Sequence, residues 1–183
     1  METIIVLMLM AKCLMDLYLK RLSIKNVGVF ALISVFLYAI FRITNTTSNY
    51  DFALLLGCSD MMVDDFKTNE VYWINALLFI ICSIIISVFS GFFLTSFLIL
   101  LIPVMFNFAT KDRFMGNVDC LIILGLGMSK SLTDLVSFVF YLGIISGIRA
   151  LIYIIRKEDN EEIAFIPVIW SSFLLYVVMG NVF

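Results

Sequence analysis

Long apolar runs separated by short polar breaks organise this chain. The first run covers about residues 3–19 and the second about 27–43. Residues 71–108 are almost uninterrupted; as a single helix they would measure about 57 Å, nearly twice the hydrocarbon thickness of a bilayer. They therefore read as two helices that turn near residues 87–91. Residues 119–128 form a short glycine-bearing segment, 132–155 a longer one ending at Arg156-Lys157, and 163–180 the last. Between the second and third runs, residues 44–70 carry Asp51, Asp60, Asp64, Asp65 and Glu70 against Lys67. Residues 52–58 within that stretch are apolar but too short to span.

This pattern predicts an all-α, polytopic transmembrane helix bundle of about six to eight membrane segments. Composition agrees: 63% of residues are hydrophobic, against about 45–50% in soluble domains. The 183 residues are expected to form a single integral-membrane domain, with residues 44–89 a possible inserted pair of segments. Glu2 stands where a cleavable signal would be basic, and Lys12 and Asp16 interrupt the first run. The N-terminal segment is thus expected to remain as a first membrane helix.

Basic residues set an expected orientation. Lys20, Arg21, Lys25, Lys111, Arg113, Arg156 and Lys157 fall on the cytoplasmic side, Arg42, Lys67 and Lys130 outside, and Lys12 and Arg149 are embedded. Three crossings between residues 27 and 108 would break this arrangement. Either residues 50–66 cross or re-enter as a fourth segment, or residues 71–81 lie in the interface. The first is preferred, because 71–108 divides naturally in two.

Charge and cysteine content exclude several functions. The twelve Lys and Arg are scattered, so no stripe tracks phosphates and no nucleic-acid partner is expected. Cys13, Cys58, Cys82 and Cys120 form no CxxC and the chain has no histidine. Zinc and iron–sulfur sites and a disulfide framework are not expected. Ser–His and Cys–His nucleophiles are absent. Ser129-Lys130-Ser131 reads as a helix end at the water boundary rather than a Ser–Lys pair.

Asp16 and Asp119 are the candidates for chemistry, since a carboxylate beside a membrane core is expensive. Two neighbouring carboxylates cannot both ionise cheaply, so one keeps a proton near neutral pH. The ionised member can activate water while the protonated one polarises a peptide carbonyl. Gly116 permits close approach, and Gly125 and Gly127 permit tight helix packing. The plainer alternative is that both aspartates mark helix ends at the headgroup level.

Met115-Gly116-Asn117-Val118-Asp119-Cys120-Leu121-Ile122-Ile123-Leu124-Gly125 resembles the GxGD motif of type IV prepilin peptidases and preflagellin peptidases. Asp16-Leu17-Tyr18-Leu19-Lys20-Arg21-Leu22-Ser23-Ile24 resembles that family's first-aspartate segment, where an aspartate at a helix end precedes basic residues and an Ile-Pro-Asn-like turn. Ile163-Ala164-Phe165-Ile166-Pro167-Val168-Ile169 resembles its closing helix. Val118 stands in place of the second glycine and Leu121 in place of a lysine; Ser23 and Ile24 stand for proline and asparagine. The resemblance implies a membrane aspartic endopeptidase with Asp16 and Asp119 catalytic and Gly116, Asn117 and Val118 shaping the turn. It further implies a pilin-like or flagellin-like precursor as substrate, cut at the cytoplasmic face of the cell membrane, with no metal or organic cofactor. Longer relatives carry a cysteine-bearing insert and methylate the product; this chain has none, so cleavage without methylation is expected. The alternative is a non-enzymatic polytopic protein: a transporter subunit, an assembly factor or an inactive relative.

Overall fold

A computed structural model describes residues 24–43, 49–68, 71–91, 93–110, 116–156 and 164–180. All secondary structure among them is helical: α1 Ile24–Ile43, α2 Asn49–Thr68, α3 Trp73–Ser90, α4 Leu94–Ala109, α5 Asn117–Gly127, α6 Leu132–Arg156 and α7 Ile166–Gly180. The expected division of residues 71–108 is present. α3 stops at Gly91, whose φ of 112° is open to glycine and strained for other residues.

Helix α2 is the axis of the bundle. It packs against α1, α3 and α7, and its Leu54, Leu55, Cys58, Ser59 and Met61 are fully enclosed. The Trp170 indole N–H of α7 donates to Leu55 O at 3.1 Å and to Ser59 Oγ at 3.0 Å, joining the two helices at mid-height. The short α5 fills the other side, against α3, α4 and α7. Its glycines explain the closeness. A Cβ on Gly125 would lie 2.7 Å from the Phe79 ring of α3, and one on Gly127 would lie 2.4 Å from Leu100 of α4. Tight packing at Gly125 and Gly127, expected from the sequence, is therefore present.

The helices alternate in direction. Phe93 N–H donates to Met128 O at 3.3 Å, and Ser96 Oγ donates to Lys130 O at 2.6 Å. The α3–α4 and α5–α6 turns thus share one end of the bundle with Lys130 and its partner Asp51 on α2. Asn107 Nδ2 donates to Asn117 Oδ1 at 3.0 Å and gathers the end of α4 and the start of α5 at the opposite end. The end of α2 and the start of α7 meet there too, through Asp65 and Ile166. The start of α1 lies nearby, with Val29 and Ile33 lining a cavity beside Met62 and Phe66. These are called the lysine end and the acid end below. Lys67, in the last turn of α2, belongs to the acid end with Asp119, not with Arg42 and Lys130 as the sequence reading had it.

Two helices among the described residues are long and apolar enough to cross a membrane, α3 and residues 132–155 of α6. The expected six to eight segments are not reached by that measure. α4, α5 and α7, at 16, 11 and 15 residues, are shorter than the roughly 20 that span hydrocarbon. α2 has the length, but Asp51, Asp60, Asp64, Asp65 and Lys67 interrupt its apolar surface.

Candidate functional site: a carboxyl pair at the acid end

Asp119 is the third residue of α5, and Gly116 is the N-cap. The Gly116 N–H is hydrogen-bonded to the Asp119 side chain. This is half of a capping box, in which a side chain at the third helical position reaches back to the N-cap amide. The role of Gly116 is space. Its φ of −61° suits any residue, but a Cβ there would lie 2.9 Å from Asp119 Oδ2. Val118 sits inside α5 with helical backbone, so the absent second glycine costs the turn nothing. Asn117 contributes its carbonyl oxygen to Asn107, tying α5 to α4.

Sequence reading placed Asp16 opposite Asp119. Asp16 lies outside the described residues. Among the described residues, the carboxylate whose charge acts on Asp119 is Asp65, near the end of α2 and buried. Asp65 Oδ2 accepts the Ile166 N–H at 2.9 Å, and the Phe165 backbone adds a second hydrogen bond. It thereby caps the first turn of α7, where free amides and the helix dipole favour an anion.

The two acids are unequal. Burial pushes the Asp119 carboxyl up to about 7, and the negative charge of Asp65 adds to the rise, against the lowering effect of the Gly116 hydrogen bond. Burial raises Asp65 as well, but its two backbone hydrogen bonds pull it back. Asp65 is therefore the member that ionises, and Asp119 the member that keeps a proton near neutrality. Neither has an ion-pair partner among the described residues.

Asp65 was legible in the sequence only as one of several acids in residues 44–70. Lys67 comes two residues later, and Val71 and Tyr72 form an extended turn into α3. Tyr72 has φ −68° and ψ 126°, the backbone a proline would impose.

The lysine end holds charge of a different kind. Lys130 Nζ is ion-paired with Asp51 Oδ1, and both side chains are almost wholly enclosed. The ammonium lies 5.4 Å from the Phe173 ring centroid and 5.5 Å from that of Tyr176. Ser131 opens α6 as a cap: its Oγ accepts the Asp134 N–H at 3.3 Å and donates to Asp134 Oδ2 at 2.5 Å. Ser129-Lys130-Ser131 does mark a helix end, as expected, but Lys130 is enclosed rather than at the water boundary.

Comparison of the chain with protein-family descriptions, with curated proteins and with solved structures finds no match.

Proposed function

We propose that the chain is a helical membrane protein whose acid end is a carboxyl pair of the aspartic-peptidase kind, with Asp65 in the place the sequence reading gave to Asp16. Membrane residence is supported by α3 and α6 and by apolar side chains exposed on the outer helices, such as Phe140, Ile154 and Ile102. Lys25, Lys67 and Arg156 lie in terminal helix turns at the acid end, whereas Arg42 and Lys130 lie at the other. The positive-inside rule then turns the acid end to the cytoplasm.

The observation that carries the peptidase reading is that two carboxyls stand at one end of the bundle, Asp65 at the start of α7 and Asp119 at the start of α5, with the charge of Asp65 felt by Asp119. A helix cap works best as an anion, so capping alone gives no reason to set a second carboxylate beside Asp119 and hold it protonated. Ionised Asp65 would take a proton from water, and protonated Asp119 would donate to the scissile carbonyl oxygen. The substrate class, a pilin-like or flagellin-like precursor cut before its apolar helix, rests on resemblance alone.

A non-enzymatic role has its own specific support. Both carboxyls already serve their helices, Asp65 at the start of α7 and Asp119 at the start of α5. The absence of any match in the comparisons adds nothing for an enzyme. Co-expression with precursor proteins separates the readings, using Asp16→Asn, Asp65→Asn and Asp119→Asn. Asparagine still caps a helix but cannot shuttle a proton. Loss of cleavage in the second and third, with membrane insertion intact, is the expected result. Cleavage by Asp65→Asn at the wild-type rate would remove Asp65 from the chemistry; failure of the wild type to cut any such precursor would leave the non-enzymatic role.

A further inference from the structure

The outer face of α7, between α1 and α6, carries three adjoining cavities. One, of about 220 Å³, is lined by Phe66, Ile148, Arg149 and Pro167 among others. A second, of about 390 Å³, shares Ile145 and Ser171 with it and continues to Leu174 and Val178. A third, of about 280 Å³, shares Phe66 and Pro167 with the first and reaches Val29 and Met62. The lining is apolar apart from Arg149 and Ser171. The Ser171 hydroxyl is turned inward to the Pro167 carbonyl.

Arg149 is exposed and has no ion-pair partner among the described residues. It sits on a helix whose apolar window is almost entirely exposed to the sides. An arginine in that setting needs an anion or water. α6 has 25 residues and measures about 37 Å, longer than a hydrocarbon core of about 30 Å. Arg149 lies seven residues before Arg156, about 10 Å, so its long side chain reaches the headgroup layer by snorkelling. From Pro167 to Val178 the trough follows α7 for about 16 Å, close to the depth of one leaflet.

We propose that this trough binds a membrane phospholipid, its phosphate on the Arg149 guanidinium and one acyl chain laid along α7 past Ile145 towards Val178. Charge complementarity selects the occupant: a cation at the headgroup level, with no ion-pair partner among the described residues and leading into an apolar channel, fits an anionic amphiphile. The inference rests on α6 lying in a bilayer and is independent of the carboxyl pair. A bound lipid would close the bundle wall beside Phe66 and Ala164, next to the two residues that hold Asp65 and the start of α7.

The test is native mass spectrometry of the full chain in mild detergent, titrated with dioleoylphosphatidylglycerol. Arg149→Gln is expected to lower lipid retention about tenfold, the equivalent of 1.4 kcal/mol. Arg149→Lys, which keeps a phosphate-binding charge, is expected to stay within about threefold of the wild type. Ile145→Trp, which keeps the arginine and fills the shared wall, is expected to lose retention as well. Arg42→Gln, at the other end of the bundle, is expected to change nothing, and inorganic phosphate is expected not to displace the lipid. Equal retention by wild type and Arg149→Gln would overturn the proposal, as would displacement by phosphate alone. An Arg149-dependent dimer with unchanged lipid retention would also overturn it and give the trough to a second copy of the chain. Release of the wild type from membranes by alkaline carbonate would overturn the membrane reading itself.

Discussion

Asp51 and Asp65 stand on one helix, fourteen residues and so about 21 Å apart, and each is withdrawn from water at its own end of the bundle. At the lysine end the charge is answered by Lys130, whose ammonium is in turn flanked by Phe173 and Tyr176. At the acid end the neighbour of Asp65 is another acid, and the answer is a proton on Asp119 together with backbone amides from α7. A buried pair of opposite charges is a fixed structural element. Two acids that feel each other's charge do not both ionise cheaply, so one of them keeps a proton that can leave. The contrast sets a fixed ion pair at one end against a protonatable carboxyl at the other.

The largest effect is expected from breaking the ion pair on one side only. Lys130→Met leaves Asp51 enclosed without its cation, which typically costs about 3–5 kcal/mol. The double variant Lys130→Met with Asp51→Asn removes both charges and should recover most of that loss. Thermal unfolding of the two in detergent measures it. If Lys130→Met unfolds no earlier than Asp65→Asn, the two ends do not differ as argued.

A smaller, pH-dependent effect is expected at the acid end. Asp119 titrates near 7 in the fold, against an ordinary value of 3.8. A raised acid binds its proton more tightly in the folded chain, so its stabilising effect is complete below about pH 4 and is lost as pH rises towards 7. Asp119→Asn does not titrate. It should therefore match the wild type near pH 4 and unfold later at pH 8, by more than about 2 °C. A constant difference across that range would mean that Asp119 is not the group holding the proton.

How far the sequence disclosed this arrangement depends on which residue is asked about. The helical class and the break near residues 87–91 follow from apolar run lengths, because a run longer than a bilayer must turn, and the break near 128–132 from the polar Ser129-Lys130-Ser131. Gly116 and Asp119 stood out together as the glycine and acid of one short segment, while their relation as N-cap and third helical position came from the structure. The tight contacts at Gly125 and Gly127 were legible as missing side chains in an apolar helix. Asp65 was not. Its importance comes from α7, a hundred residues later in the chain, whose first amides it caps. Nor was the Lys130–Asp51 pair, which joins a turn and a helix seventy-nine residues apart. Among the described residues fewer helices meet the length and hydropathy of a span than expected, because apolar content does not separate a lipid-crossing helix from a short enclosed one such as α5.

The smallest change, Gly116→Ala, sharpens the comparison most. Its backbone conformation accepts alanine, so the cost falls on the Asp119 carboxylate that the new methyl would crowd at 2.9 Å. The stability loss should be only about 1 kcal/mol, the scale of a disturbed cap. Displacing the carboxylate also removes the Gly116 hydrogen bond, the one influence lowering its affinity for a proton. The midpoint of the pH-dependent unfolding should then move upward from about 7, and infrared absorption of a protonated carboxyl should persist to higher pH. Because the lysine end is about 21 Å away along α2, the loss should add to that of Lys130→Met without coupling. A midpoint that stays put or falls would mean that the glycine serves the turn and leaves the proton on Asp119 untouched.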